Sequence, residues 1–265
     1  MTDRPDARLA YIFDDMVASL RRIIRERRVT HEEYRQAVAF MCEVAERGEV
    51  PLLIDVFLEA TVVDNADKAG TEMSVEGPYY LGGAPVLVPP YALPQRSDEP
   101  GEILMLAGTV RSTEGVALGG ASVDVWQSDA RGAYSHFNYP EPRYNLRGKL
   151  STDPKGRFEV RTVIPSSYEI PKQGPTGSLL KMMGRHAFRP AHIHTRLTAP
   201  GFETLTTQLY FAEDPWLASD VVGAVKPSLV IAPVRHDDPA DLRERGFARP
   251  YYSVNYDFAL RPTLR

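Results

Sequence analysis

The residues most able to do chemistry in this 265-residue chain are two histidines, His192 and His194, in the run Arg189-Pro190-Ala191-His192-Ile193-His194. Residues two apart in a strand point to one face, so both imidazoles are expected to address one site. An H-x-H pair on a strand is a common metal-ligand arrangement, yet the spacing equally describes two polar side chains on a solvent face. Pro190, just before the pair, reads as a strand start or an edge position. A carboxylate as third ligand would indicate a ferrous facial triad. Glu203, Glu213 and Asp214 flank loops, however, and none stands in an H-x-[DE] pattern with these histidines. His186 reads as a helix-end or surface residue, and His31, His136 and His236 have no obvious partners. Cys42 is the lone cysteine, which excludes an intrachain disulfide and thiolate-rich metal sites. Any metal here relies on nitrogen and oxygen donors.

The elements that must position these residues are legible in outline. Phe13, Met16, Val17, Leu20 and Ile24 recur at three- and four-residue spacing and predict a first helix, with Arg21, Arg22, Arg25 and Arg27 crowding its C-terminal end. Thr30 and Glu33 form a capping-box pattern that opens a second helix, which Gly48 closes; Pro51 starts a third segment over Leu52–Val62. From 66 to 102, glycine and proline punctuate the chain, which predicts a wrapping loop. Beyond it, Ile103–Arg111, Ala121–Gln127, Gly156–Ile164, Ala191–Leu197 and Leu205–Phe211 read as short strands, with similar runs at Ser228–Ala232 and Tyr251–Leu260. Many short strands with helices at one end predict an α+β, mainly β chain: a helical region over 1–65, the loop over 66–102, and an antiparallel β-sandwich core over 103–265.

Bulk properties narrow the class. A net charge of −4 and a pI near 5.9 give no electrostatic footprint for nucleic acid or an anionic membrane. No run of about 18 apolar residues exists, so no membrane insertion is expected, and no signal-peptide pattern follows the polar first residues. With a single unpaired cysteine, the expected location is cytoplasmic.

Several motifs, in order and in register, resemble one family. Leu106-Ala107-Gly108-Thr109-Val110, Gly115, Leu118, Val123-Asp124-Val125-Trp126 and Gly132-Ala133-Tyr134 resemble the signature segment of the intradiol ring-cleavage dioxygenases. Ile164-Pro165-Ser166-Ser167-Tyr168, Gly174–Gly177, Gly184-Arg185-His186, Arg189–His194 and Leu205–Gln208 continue the match. The resemblance covers residues 77–211 closely and the helices more loosely. It implies Fe(III) held by Tyr134, Tyr168, His192 and His194, with Tyr168 released when substrate binds and Arg189 and Gln208 beside the ring. It also implies an activity: both atoms of O2 enter catechol or a chloro- or alkyl-substituted catechol, giving a cis,cis-muconate. Two phenolates, two neutral imidazoles and a hydroxide balance the charge of Fe(III), which lets the centre sit in a partly dry cleft.

By the same resemblance, Leu52, Asp55, Val56, Gly77, Pro78 and Tyr79 contact the ring together with Arg189 and Gln208. Asp55 is expected to accept a bond from an extra ring hydroxyl, or to cap or pair locally. The first helix is expected to form a homodimer interface that encloses a phospholipid tail. A hydroxyquinol 1,2-dioxygenase is the nearer alternative, a ferrous extradiol or cupin oxygenase a further one. A non-catalytic β-sandwich binding module, with structural histidines, is the alternative from another class.

Overall fold

The computed structural model describes residues 6–66, 69–137 and 142–263. It divides into two compact units, one ending at Glu49 and one beginning at Val50. In the first, α1 (Ala7–Arg27) starts at Asp6, whose carboxylate accepts from the Leu9 N–H. It stops where Arg28 takes the left-handed conformation, with Arg25 and Arg27 in its last turn. The expected capping box opens α2 (His31–Glu46): Thr30 Oγ1 accepts from Glu33 N–H at 3.2 Å, and Glu33 Oε2 accepts from Thr30 N–H at 2.7 Å. Gly48, at φ 69°, follows its end.

The second unit opens on α3 (Val50–Ile54), which widens into a π-helical turn over Asp55–Glu59 and resumes as α4 (Ala60–Asp64). A π-turn inserts an extra residue per turn and commonly marks a functional site. Two five-stranded sheets follow. The first is built on β1 (Ile103–Ser112), flanked on one edge by β4 (Arg157–Val163) and on the other by β11 (Tyr251–Asn255) and then β12 (Phe258–Leu260), with β10 (Val234–His236) outside β11. The second runs β3 (Arg147–Ser151), β2 (Ser122–Gln127), β7 (His192–Thr198), β8 (Leu205–Phe211), β9 (Val230–Ile231). A two-stranded ribbon pairs β5 (Tyr168–Glu169) with β6 (Phe188–Arg189). Two short helices, α5 (Pro175–Met182) and α6 (Pro239–Arg245), complete the unit.

The mainly-β sandwich is as expected, but its pairing is mixed rather than wholly antiparallel. β1 runs parallel to both β11 and β12, and β8 runs parallel to β9. In each case a long connection returns the chain in its original direction, which is what parallel pairing requires. The Tyr251–Leu260 run also splits in two. At the break the Tyr256 N–H donates to Ala107 O, and Asp257 Oδ1 accepts from the Thr109 N–H.

Alternation decides what lies between the sheets. Val123, Val125, Ile193, Leu197 and Leu209 from the second sheet meet Leu104, Leu106, Val110, Phe158 and Val160 from the first in one buried cluster. The opposite face of the second sheet carries Asp124, Trp126, His192, His194 and Gln208. It too is buried, and a second cluster containing Val56, Tyr79, Tyr134, Tyr168, Ile170 and Leu180 forms against it.

Gly108 tests the break in the partner strand. A Cβ there would lie 1.9 Å from the Tyr256 carbonyl oxygen, so Gly108→Ala must displace backbone. The expected cost is about 1–3 kcal/mol, read as a lower urea midpoint at unchanged slope.

Candidate metal centre and active site

Register brings the site together. Trp126 on β2 stands opposite His194 on β7, and His194 stands opposite Gln208 on β8. β7 is therefore a central strand. The edge position suggested by Pro190 is not realised, because β2 and β8 claim both its sides; Pro190 instead precedes the strand start. Nor do the two histidines face solvent: His192 is 0% exposed and His194 1%. Their Nε2 atoms lie 3.0 Å apart, and Tyr134 Oη is 3.5 Å from His192 Nε2. Tyr168 closes the group, its ring 5.2 Å from that of Tyr134 and 5.6 Å from that of His192. The four residues named from the sequence converge.

Each is fixed by its surroundings. His192 Nδ1 lies 2.7 Å from Pro190 O and must donate to it, which leaves a lone pair on Nε2 facing its neighbours. His194 is stacked on Trp126, centroids 4.6 Å apart and planes within 10°, and its Nδ1 has no hydrogen-bond partner among the described residues. Tyr134 follows a turn in which Gly132 sits at φ 82°; a Cβ there would lie 2.5 Å from Ser167 O, so the loops carrying Tyr134 and Tyr168 touch through backbone. Tyr79 stacks on Tyr134 at 4.5 Å and meets Tyr168 edge-on at 5.7 Å.

Burial sets the electrostatics. It depresses both imidazoles, with help from the Arg189 charge: His192 falls to about 3 and His194 well below its ordinary value. Both rings are neutral at physiological pH, the form that binds metals. Burial also pushes Tyr134 well above the ordinary phenol range and raises Tyr168, although Arg189 opposes the shift in each case.

This arrangement fits a metal ion. Two ligand atoms at right angles, each ~2.1 Å from a shared ion, lie about 3.0 Å apart, the spacing of the two Nε2 atoms. Among the described residues no cluster of three His, Cys, Asp or Glu side chains could hold a metal, so the remaining donors here are phenol oxygens. Phenolate is a hard donor suited to a trivalent ion, whose charge reverses the upward pKa shift.

Arg189 supports the centre from β6. Register places it opposite Tyr168. It is 3% exposed and held by Asp220 at 3.2 Å through Nε and again through one Nη, which also donates to Gln208 Oε1 at 2.9 Å. Burial alone would raise the Asp220 carboxyl. The Arg189 charge, the hydrogen bonds from Arg189 and the Ala224 N–H bring it below the ordinary value instead. Gln208 is committed elsewhere, its Nε2 donating to Val75 O at 2.6 Å while its Oε1 also accepts from Tyr210 Oη at 2.7 Å.

A cavity of about 30 Å³ adjoins Tyr168 and Arg189, roughly the share of liquid volume held by one water. Leu52, Asp55, Val56, Gly77, Pro78 and Tyr79 line it. Gln208 does not line it. Glu59, Val75, Ile170, Pro171 and Val222 do. No sequence motif identified these five as lining residues; Glu59 lies one helical turn from Asp55 and shares its wall. Burial raises both carboxyls, and for Glu59 the Asp55 charge adds to it. Among the described residues Asp55 has no hydrogen-bond partner. His236, which lacked an obvious partner in the sequence, has one, its Nε2 2.8 Å from Ser253 Oγ, and His186 Nε2 lies 3.0 Å from Ser219 Oγ.

Comparison with known proteins agrees with this geometry. A dioxygenase family model matches residues 75–262, and a model of the catechol dioxygenase N terminus matches residues 6–73. A chlorocatechol 1,2-dioxygenase from Rhodococcus opacus is 42% identical over 231 residues, 85% of this chain and 90% of the relative. Another, from Pseudomonas sp. strain P51, is 39% identical over 91% of this chain and 95% of its own length. The crystal structure of 3-chlorocatechol 1,2-dioxygenase from Rhodococcus opacus 1CP superposes with a TM-score of 0.86 at 39% identity, covering 97% of this chain and 99% of that one. With both family models matched in sequence order and the two histidines and two tyrosines gathered on one face of the sandwich, the chain belongs to the intradiol ring-cleavage dioxygenases.

Proposed function

We propose that this enzyme converts a substituted catechol, chlorinated or alkylated, and O2 to the corresponding cis,cis-muconate, using Fe(III) held by Tyr134, Tyr168, His192 and His194. The observation that carries the reading is the convergence of two imidazole Nε2 atoms and a phenol oxygen within 3.0–3.5 Å in a buried layer. The chlorocatechol relatives favour a substituted ring over hydroxyquinol, the alternative substrate. When bound, the ferric ion would supply Lewis-acid chemistry that makes the catechol ring electron-rich enough to react with O2.

The protein's own part is positional and acid–base. His192 and His194 stay neutral and fixed. Tyr168, on its two-residue strand, is the ligand placed to leave and to accept a catechol proton at Oη. Arg189 stands opposite Tyr168 in the β5–β6 ribbon and its charge favours the phenolate there, and it lies along the cavity wall where negative charge develops in the ring. Asp220 and Gln208 hold that guanidinium in place. The apolar lining, Leu52, Val56, Val75, Ile170 and Val222, excludes water from the ring.

The exposed α1 stripe, in which Phe13, Met16 and Leu20 are each more than half exposed, supports a further reading: residues 1–65 form a homodimer interface enclosing a phospholipid tail. The lone exposed Cys42 suits a cytoplasmic location.

Four experiments test these readings. Purified enzyme should hold one iron per chain, absorb in the visible through tyrosinate-to-ferric charge transfer, and turn over 4-chlorocatechol and alkylcatechols faster than hydroxyquinol. Tyr168→Phe should lower turnover by about 10²-fold or more and weaken the band; normal colour and turnover in that variant would refute the ligand set. Asp220→Asn leaves the Arg189 charge buried and unpaired, which should cost about 3–5 kcal/mol by denaturant titration. Because the Asp220 carboxyl is depressed in the fold, the stability it confers is full above about pH 4 and is lost as pH falls through its folded value; the asparagine variant should lack that acid limb. Light scattering should give the mass of two chains, with lipid extractable from the purified protein; a monomer would remove the interface reading.

A further inference from the structure

The two tyrosines do not have equivalent cations, and the difference bears on the iron reading above, on which this inference rests. Tyr168 is served by Arg189, whose charge is already matched by Asp220 at 3.2 Å. Tyr134 feels the Arg189 charge as well, but it also has a second cation beside it, Arg147 on β3. That guanidinium is 1% exposed, and among the described residues no carboxylate lies within ion-pairing distance of it. Its donors go to neutral acceptors: Nε to Ser135 Oγ at 2.8 Å, one Nη to Tyr79 O at 2.6 Å, the other to Ser135 O at 3.2 Å. Asp124, the acid that acts on it from farther off, is paired with Lys149 at 3.4 Å. Arg147 Cζ stands 5.6 Å from the centroid of the Tyr134 ring. A buried cation without an anion is unfavourable, and the negative group this one faces is the phenolate that Tyr134 becomes on binding Fe(III).

We propose that Arg147 is a positioning residue for the metal: its unmatched charge serves the Tyr134 phenolate and holds that oxygen on the iron. The bonds to Ser135 and Tyr79 lock the guanidinium against the ring. Tyr79, stacked on the same ring, completes a clamp with no counterpart at Tyr168. The asymmetry divides the labour: Tyr134 stays, while Tyr168, whose cation is neutralised, is free to exchange with substrate.

The test compares Arg147→Gln and Arg147→Lys, as apoprotein and after ferric loading, in wild-type and Tyr168→Phe backgrounds. In the second background Tyr134 is the sole tyrosinate. Apo Arg147→Gln should melt no lower than the apo wild type, because it sheds a buried charge that has no anion, and ferric loading should raise its melting temperature less. It should bind iron about 10- to 100-fold more weakly. Its charge-transfer band should move to longer wavelength, since a cation against the ring lowers the phenolate's filled orbitals. Arg147→Lys should keep the wild-type band position. An unshifted band with unchanged iron affinity in Arg147→Gln would overturn the proposal. So would equal shifts in the lysine and glutamine variants, or failure of apo Arg147→Gln to fold, which would make the guanidinium a structural clamp. A wild-type protein without a ferric band would overturn the iron reading instead.

Discussion

Two neutral imidazoles with ring nitrogens 3.0 Å apart, buried on the outer face of a sheet, are the constraint from which the rest of the molecule follows. With His192 protonated at Nδ1, a proton on His194 Nε2 can bridge the two rings, and a metal ion would take its place. Keeping both rings in place takes a central strand with neighbours on each side, a carbonyl fixing one tautomer and an indole stacked on the other ring. Keeping water out takes a second hydrophobic cluster on a sheet face that an ordinary two-layer sandwich leaves to solvent. The π-turn segment, the Gly77–Tyr80 loop and the β5–β6 ribbon exist in this sense to cover that face.

The charges around the centre follow the same logic. Every buried ionic group there is matched or waiting to be matched. Arg189 is tied to Asp220 and steadied by Gln208, and the Arg96 guanidinium bridges Glu99 and Asp129 nearby. Such pairs add little net stability compared with apolar packing, but breaking one strands a charge. Their value here is orientation. Gln208, oriented by Val75 and Tyr210, holds the arginine and does not itself line the cavity.

The sequence makes the long alternating strands, the capping box at Thr30 and the four ligand candidates legible, because each is a local pattern. β3 is not legible. Arg147-Gly148-Lys149-Leu150-Ser151 has neither β-branched residues nor clean alternation, and it is a strand because β2 pairs with it. The same residues contain Arg147, so a missed strand hid a candidate contributor to the centre. The burial of His192 and His194 was equally invisible, since what covers them comes from other segments of the chain, from the Val56 and Tyr79 regions to the loops of Tyr134 and Tyr168. Parallel returns such as β1 with β11 depend on connections whose direction no local pattern records. Glu59, one helical turn from Asp55 and on its face, was missed because no motif marks it.

The anchoring of the four candidate ligands differs in kind. His192 and His194 are woven into the middle of a five-stranded sheet, and Tyr134 is pinned by a stacked ring and a guanidinium. Tyr168 hangs from a ribbon only two residues wide. A swing of that side chain disturbs a single pair of strand partners and leaves the sandwich untouched. Mechanical compliance is thus confined to one of the four candidate ligands, so the fold leaves that side chain the freest to move while the other three remain stiff.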